Sequence, residues 1–173
     1  DMDATRVGPW NGLGDLYRIQ GRMEDAKQAF STATEIDPKY SYAYKQMAAL
    51  YVEYYNNYDA AEEFLEKYLE TNPKNSSVWN TLGNLLLDFQ GKIGAAESAY
   101  LKSLDLDSTN ECALHNLFFL YRDFQDDMVK ATESFSRLSS LNSKLCDTGE
   151  LQKALSSSRL QNWGDVESHL DDA

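Results

Sequence analysis

Cysteine is almost missing from this sequence, with only Cys112 and Cys146 among 173 residues. There is no CxxC pair and no framework of closely spaced cysteines, so a disulfide scaffold is excluded. Two free thiols in a reducing, cytoplasmic compartment are expected. Long apolar runs are also missing. None approaches the roughly 18 residues that a membrane-crossing helix needs, and no charged-then-apolar signal segment opens the chain. Basic residues are outnumbered, 16 Lys and Arg against 28 Asp and Glu, for a net charge of −12. That balance opposes a nucleic-acid backbone or an anionic membrane as the main partner and leaves basic or neutral proteins.

Catalytic and metal-binding patterns are equally sparse. Gly12-Leu13-Gly14 begins like a dinucleotide fingerprint, but the third glycine falls on Tyr17, and no strand precedes it. Asp105, Asp107, Asn110 and Glu111 suggest a calcium loop until its required Gly and final Glu fall on Asn110 and Asn116. His115 and His169 lack the HExxH spacing of a zinc site, and no GxSxG elbow occurs. Asn75-Ser76-Ser77 matches a glycosylation sequon and reads as accidental without a signal segment. No enzyme activity, cofactor or metal is expected. What remains is an ordinary globular composition, 42% hydrophobic and 25% charged, of a size for one domain or a short repeat array.

The repeats are plain. Ala26, Ala61, Ala96 and Ala131 stand 35 residues apart, each followed four residues later by Phe30, Leu65, Tyr100 or Phe135. Twelve residues after each alanine comes Pro38, Pro73, Ser108 or Ser143. Upstream lies a second set: Trp10, Tyr44, Trp79 and Leu114; then Leu13, Met47, Leu82 and Leu117; then Gly14, Ala48, Gly83 and Phe118; then Tyr17, Tyr51, Leu86 and Tyr121. Apolar residues at i, i+3 and i+7 define one face of an amphipathic helix. A glycine inside a helix costs about 0.5–1 kcal/mol relative to alanine, so Gly14 and Gly83 imply close approach by a neighbouring helix. Gln20-Gly21-Arg22 and Gln90-Gly91-Lys92 are polar turns, and Pro38 and Pro73 stop the second helices. Each unit is a helix–turn–helix hairpin that buries its apolar face only by stacking.

These columns resemble the tetratricopeptide repeat, whose pattern is Trp, Leu-Gly, Tyr, Ala, Phe, Ala, Pro. Trp10, Leu13, Gly14, Tyr17, Ala26, Phe30, Ala33 and Pro38 match it nearly throughout. After an extension at 1–6, the units fall at 7–40, 41–75, 76–110 and 111–145. Units two to four carry one extra residue, expected in the turn within the hairpin. Phe118 in place of glycine, and Tyr68 and Leu138 in place of a small residue, predict wider helix spacing locally. In 146–173, the capping-box spacing of Asp147 and Glu150 and the apolar Leu151, Ala154, Leu155 and Leu160 suggest a capping helix or degenerate fifth repeat. The resemblance implies an all-α solenoid, a right-handed superhelix of four hairpins.

The same resemblance implies that the first helix of each unit lines a concave groove for a protein or peptide segment. The groove candidates are Asn11, Asp15, Arg18, Lys45, Gln46, Asn80, Asn84, Leu87, His115, Asn116, Phe119 and Arg122. Their charges, with Glu53, Asp88 and Asp123, nearly cancel, and the amides offer donors and acceptors to a partner backbone. The partner is expected near Gln46, Asn80, Asn84, His115, Asn116 and Phe119, with Asn84 and Phe119 exposed. Chaperone-binding members of the family resemble a clamp of Lys, Asn and Arg around a terminal carboxylate. Here the corresponding positions are Asn11, Asp15, Gln46, Ser77 and Thr81, or Lys45, Ala49, Thr81, Cys112 and Asn116. Neither set holds the basic pair, so chaperone carboxylate motifs are not expected as ligands. The implied role is a scaffold or adaptor, a subunit or fragment of a larger assembly. The alternatives are the recruiting region of a longer enzyme or a purely architectural segment.

Overall fold

A computed structural model describes residues 6–141, and every regular element among them is helical. The expected capping helix or fifth repeat at 146–173 lies outside the described residues. The chain divides into two compact units, Asp1–Asp107 and Ser108–Ala173. The first holds three hairpins: α1 (Val7–Ile19) with α2 (Met23–Ile36), α3 (Ser41–Glu53) with α4 (Tyr58–Thr71), and α5 (Ser76–Asp88) with α6 (Ile93–Leu106). The second holds one, in which α7 (Glu111–Phe119) runs into a π-helical segment, Leu120–Gln125, before α8 (Met128–Leu141).

The repeated small residues mark where helices meet. Ala26, Ala61, Ala96 and Ala131 are all fully buried. The missing Cβ of Gly14 is replaced by the Phe30 ring of the same hairpin, 2.5 Å from where that Cβ would stand. Gly83 makes room for the Tyr100 ring in the same way. The close approach implied by the two glycines is made by the aromatic column of the second helix. Stacking then completes the core. Ala26, Phe30 and Ala33 of the first hairpin cluster with Ala43 and Met47 of the second, with Trp10, Tyr17, Tyr51 and Phe64 packed around them.

Polar staples fasten the second and third turns of the first unit to the hairpin before each. Tyr55 Oη donates to Glu24 at 2.5 Å, Gln90 Nε2 donates to Asp59 at 3.2 Å, and Lys92 Nζ pairs with Glu62 at 2.7 Å.

The extra residue of units two to four has a definite address. In the first hairpin the amide of Arg22 donates to the carbonyl of Tyr17, five residues back, at 2.9 Å. In the others the same turn closes over six residues: Asn57 to Tyr51, Lys92 to Leu86 and Asp127 to Tyr121. The second and third hairpins accommodate it in a longer turn, as expected. The fourth differs, for there the residues before the turn wind into the π-helix, the wider helix that one inserted residue produces. Phe118 packs on Phe135 in that hairpin, with ring centroids 5.8 Å apart, in place of the tight glycine contact.

Each turn also contains one residue with positive φ: Gly21 (74°), Asn56 (50°), Gly91 (63°) and Asp126 (54°). They too stand 35 residues apart. Gly, Asn and Asp are the residues that tolerate this left-handed conformation. Asn57, Asn75 and Asn110 then cap α4, α5 and α7 by accepting from the amides of Ala60, Val78 and Ala113.

Candidate functional site: a cleft between first helices

Within the first unit, residues of α3 and α5, with Leu65 of α4, line a cleft of about 250 Å³. Its floor is apolar, built from Ala48, Leu65 and Leu85. Ala49, Val52 and Phe89 form its sides, and Lys45, Glu53, Thr81 and Asn84 supply the polar groups. The small residues follow from the repeat. Ala48 occupies the column that holds glycine in the first and third hairpins, and Leu65 the column that holds Phe30 and Tyr100, so no aromatic ring fills the space there.

The sequence candidates fall into separate groups. Lys45 and Asn84 line the cleft. Asn84 is half-buried and accepts a hydrogen bond from Tyr100 Oη at 2.9 Å, which corrects the expectation that it is simply exposed. Burial raises the Tyr100 phenol well above its ordinary value, and the nearby Asp88 carboxylate adds to the effect. Leu87 and Asn80 are buried at 9% exposure, so they contribute to packing more than to an open groove. Asn11 is also buried, and its Nδ2 donates to the carbonyl of Val7, one turn back in its own helix, at 3.3 Å.

Asp15, Arg18 and Gln46 come together around Tyr42. The Tyr42 hydroxyl donates to Asp15 Oδ2 at 2.8 Å and is hydrogen-bonded by Gln46. Partial burial first, and the Asp15 contact second, raise the Tyr42 phenol above its ordinary value. Asn11 Oδ1, Asp15 Oδ1 and Arg18 Nε, buried along one face of α1, have no hydrogen-bond partner among the described residues.

The remaining candidates belong to the second unit. His115 packs on Phe119 with centroids 4.6 Å apart, and the Arg122 guanidinium lies 4.5 Å from the Phe119 ring centre. Arg122 also forms a two-pronged pair with Asp123, at 2.6 Å for each contact. Phe119 is therefore half-buried and engaged on both sides, not exposed as expected. Asn116 is half-buried on the same helix.

Sequence reasoning missed Tyr42, Leu65 and Phe89. Leu65 stands in a repeat column that reads as core, and Tyr42 gave no signal beyond its helical pattern. Phe89 did, since it recurs in phase with Ile19, Tyr54 and Phe124. Among the described residues no group of three or more His, Cys, Asp or Glu could hold a metal ion. Nor is any described helix long and apolar enough to cross a membrane.

Two tetratricopeptide repeat models match the sequence, one over residues 17–85 and one over 76–110. No curated protein matches it. Among solved structures, MamA superposes with a TM-score of 0.73 at 19% identity, covering 83% of this chain and 82% of its own. YrrB, described as a tetratricopeptide protein with an unusual peptide-binding site, gives 0.70 at 18% identity, covering 88% and 75%. PilF of Pseudomonas aeruginosa gives 0.64 at 25% identity, covering 79% and 61%.

Proposed function

The chain belongs to the tetratricopeptide repeat family, a protein–protein interaction module, and from that premise we propose that it works as an adaptor that seats a partner segment in the cleft between α3 and α5. The cleft itself carries this proposal. At about 250 Å³ it is smaller than the roughly 300–1,000 Å³ of small-molecule sites, and its apolar floor suits one large apolar side chain. Thr81 Oγ1 donates to the Ser77 carbonyl at 3.0 Å and keeps lone pairs for a partner N–H. In the second unit, His115, Asn116, Phe119 and Arg122 offer an aromatic and cationic contact to the same class of partner.

Lys45 is the only base among the cleft's lining residues, so a terminal carboxylate is not the proposed ligand. A reducing, cytoplasmic setting is part of the proposal, supported by the exposed free thiol of Cys112. A peptide in this cleft makes mostly neutral contacts, so its affinity is expected to vary little with salt.

The test fills the cleft. Ala49→Arg combined with Thr81→Arg is expected to weaken capture of a native partner by at least about tenfold, with helicity unchanged. The exposed pair Glu63→Ala and Glu70→Ala on α4 should leave capture intact. Loss of binding in the α4 variant alone would move recognition to the outer acidic face.

A further inference from the structure

One column of the repeat is apolar and yet faces solvent. Ile19, Tyr54, Phe89 and Phe124 recur at 35-residue steps and are 79%, 54%, 48% and 53% exposed. The parallel column of Phe30, Leu65 and Tyr100 is buried, so packing accounts for that one and not for this. Single exposed apolar residues are ordinary, whereas a contiguous row marks an interaction surface.

Three members of the row lie in the first unit at equivalent ends of α1, α3 and α5. The staples draw those ends into one edge, since Tyr55 reaches Glu24 and Gln90 reaches Asp59. Phe89 also stacks on Tyr58 of the preceding hairpin, centroids 4.5 Å apart. Leu16, 48% exposed and one turn before Ile19, extends the row.

Charge says what covers it. Of the three members in the first unit, Tyr54 follows Glu53 and Phe89 follows Asp88, while Ile19 follows Arg18. Glu53 and Asp88 are exposed and form no ion pair or hydrogen bond among the described residues. The cations of the neighbouring turns are already engaged, Arg22 with Asp25, Lys27 with Glu24 and Lys92 with Glu62. In the first unit the edge therefore sets the Tyr54 and Phe89 rings beside two exposed carboxylates, against the single cation Arg18 before Ile19. A second copy of this chain would set like charges against each other, in a molecule that already carries −12.

We propose that this turn edge is a second docking surface, distinct from the cleft, for a partner segment in which Lys or Arg residues alternate with large apolar ones. Glu53 and Phe89 also line the cleft, but Ile19, Tyr54 and Asp88 do not, and the Ile19 and Tyr54 variants separate the two surfaces.

The probes are two labelled synthetic amphipathic helices of identical pattern, one of Leu and Lys and one of Leu and Glu, titrated against the full chain by fluorescence anisotropy. The Leu–Lys helix is expected to bind, more weakly as salt rises, and the Leu–Glu helix is not. Ile19→Ser with Tyr54→Ser should weaken binding by about tenfold or more, with helicity retained because both side chains are exposed. Glu53→Lys with Asp88→Lys should transfer binding to the Leu–Glu helix. Thr81→Arg in the cleft should change neither, which separates failure of this proposal from failure of the cleft. Equal loss from Glu63→Lys with Glu70→Lys on α4 would mean diffuse attraction to acidic surface and would overturn the proposal. So would a dimer in sedimentation that Tyr54→Ser dissociates, because the occupant would then be a second copy.

Discussion

Adding one methyl group at Gly83 tests the packing of a whole hairpin. Alanine normally stabilises a helix interior relative to glycine by about 0.5–1 kcal/mol, and that is the expected outcome at Gly12, where nothing lies within 4 Å of the new Cβ. At Gly83 the same methyl meets the buried Tyr100 ring, so Gly83→Ala is expected to destabilise by about 1–3 kcal/mol through overpacking. Urea melts of the two variants should therefore shift in opposite directions. Asn84→Ala is a second test, because it strips the acceptor from the Tyr100 hydroxyl. It should cost about 1–3 kcal/mol, the penalty of a buried donor left unsatisfied, and a melt that does not move would show water replacing the amide. The glycines were legible in the sequence because each violates helix propensity where the pattern is otherwise helical. Asn84, Asn11 and Phe119 were not, because periodicity assigns a residue to a face and says nothing of what crosses to meet it.

Turns carry the next level of information. Gly21 and Gly91 could be read as turn residues, but Asn56 and Asp126 look like ordinary polar loop residues until their positive φ values align with the glycines. A non-glycine residue in the left-handed region is strained by up to about 1–2 kcal/mol, less for Asn and Asp. Asn56→Gly and Asp126→Gly are thus expected to stabilise by up to about 1 kcal/mol, while Gly91→Ala destabilises, as thermal melts would show. The position of the inserted residue was legible in two hairpins. In the fourth, the π-helix was not, since an insertion can widen a helix or lengthen a loop with the same residue count. The staple at Glu24 adds a pH signature. The Tyr55 hydroxyl, followed by Lys27, holds the Glu24 carboxyl below its ordinary value of 4.5. A carboxylate depressed in the folded state stabilises above its ordinary value and loses that contribution as pH falls through the folded one. The stability gap between the native chain and Glu24→Gln should accordingly be present at neutral pH and close in acid.

For the chain as a whole, charge is the quantity that sequence alone delivers, and its distribution is what structure adds. A net −12 repels itself, and salt screens that repulsion over a Debye length of about 10 Å at 0.1 M. The melting temperature is expected to rise with added sodium chloride, and a fall would mean that local pairs such as Lys92 with Glu62 outweigh the global repulsion. The all-helical repeat could be read from in-phase columns because every hairpin restates them. The cleft could not, since it is space left between two helices that no single column records. The staples of the first unit have a bearing on how such a chain changes length. Tyr55 to Glu24 and Gln90 to Asp59 both bridge 31 residues, so each fastener joins a turn to the hairpin immediately before it. Excising the second 35-residue period would set Gln90 against Glu24, a valid mate, but Lys92 against Lys27, whereas gaining or losing a few residues inside a helix would put both contacts out of register. Gene rearrangement can therefore lengthen or shorten this array cheaply only in whole hairpins, and the number of binding stations changes in the same increments.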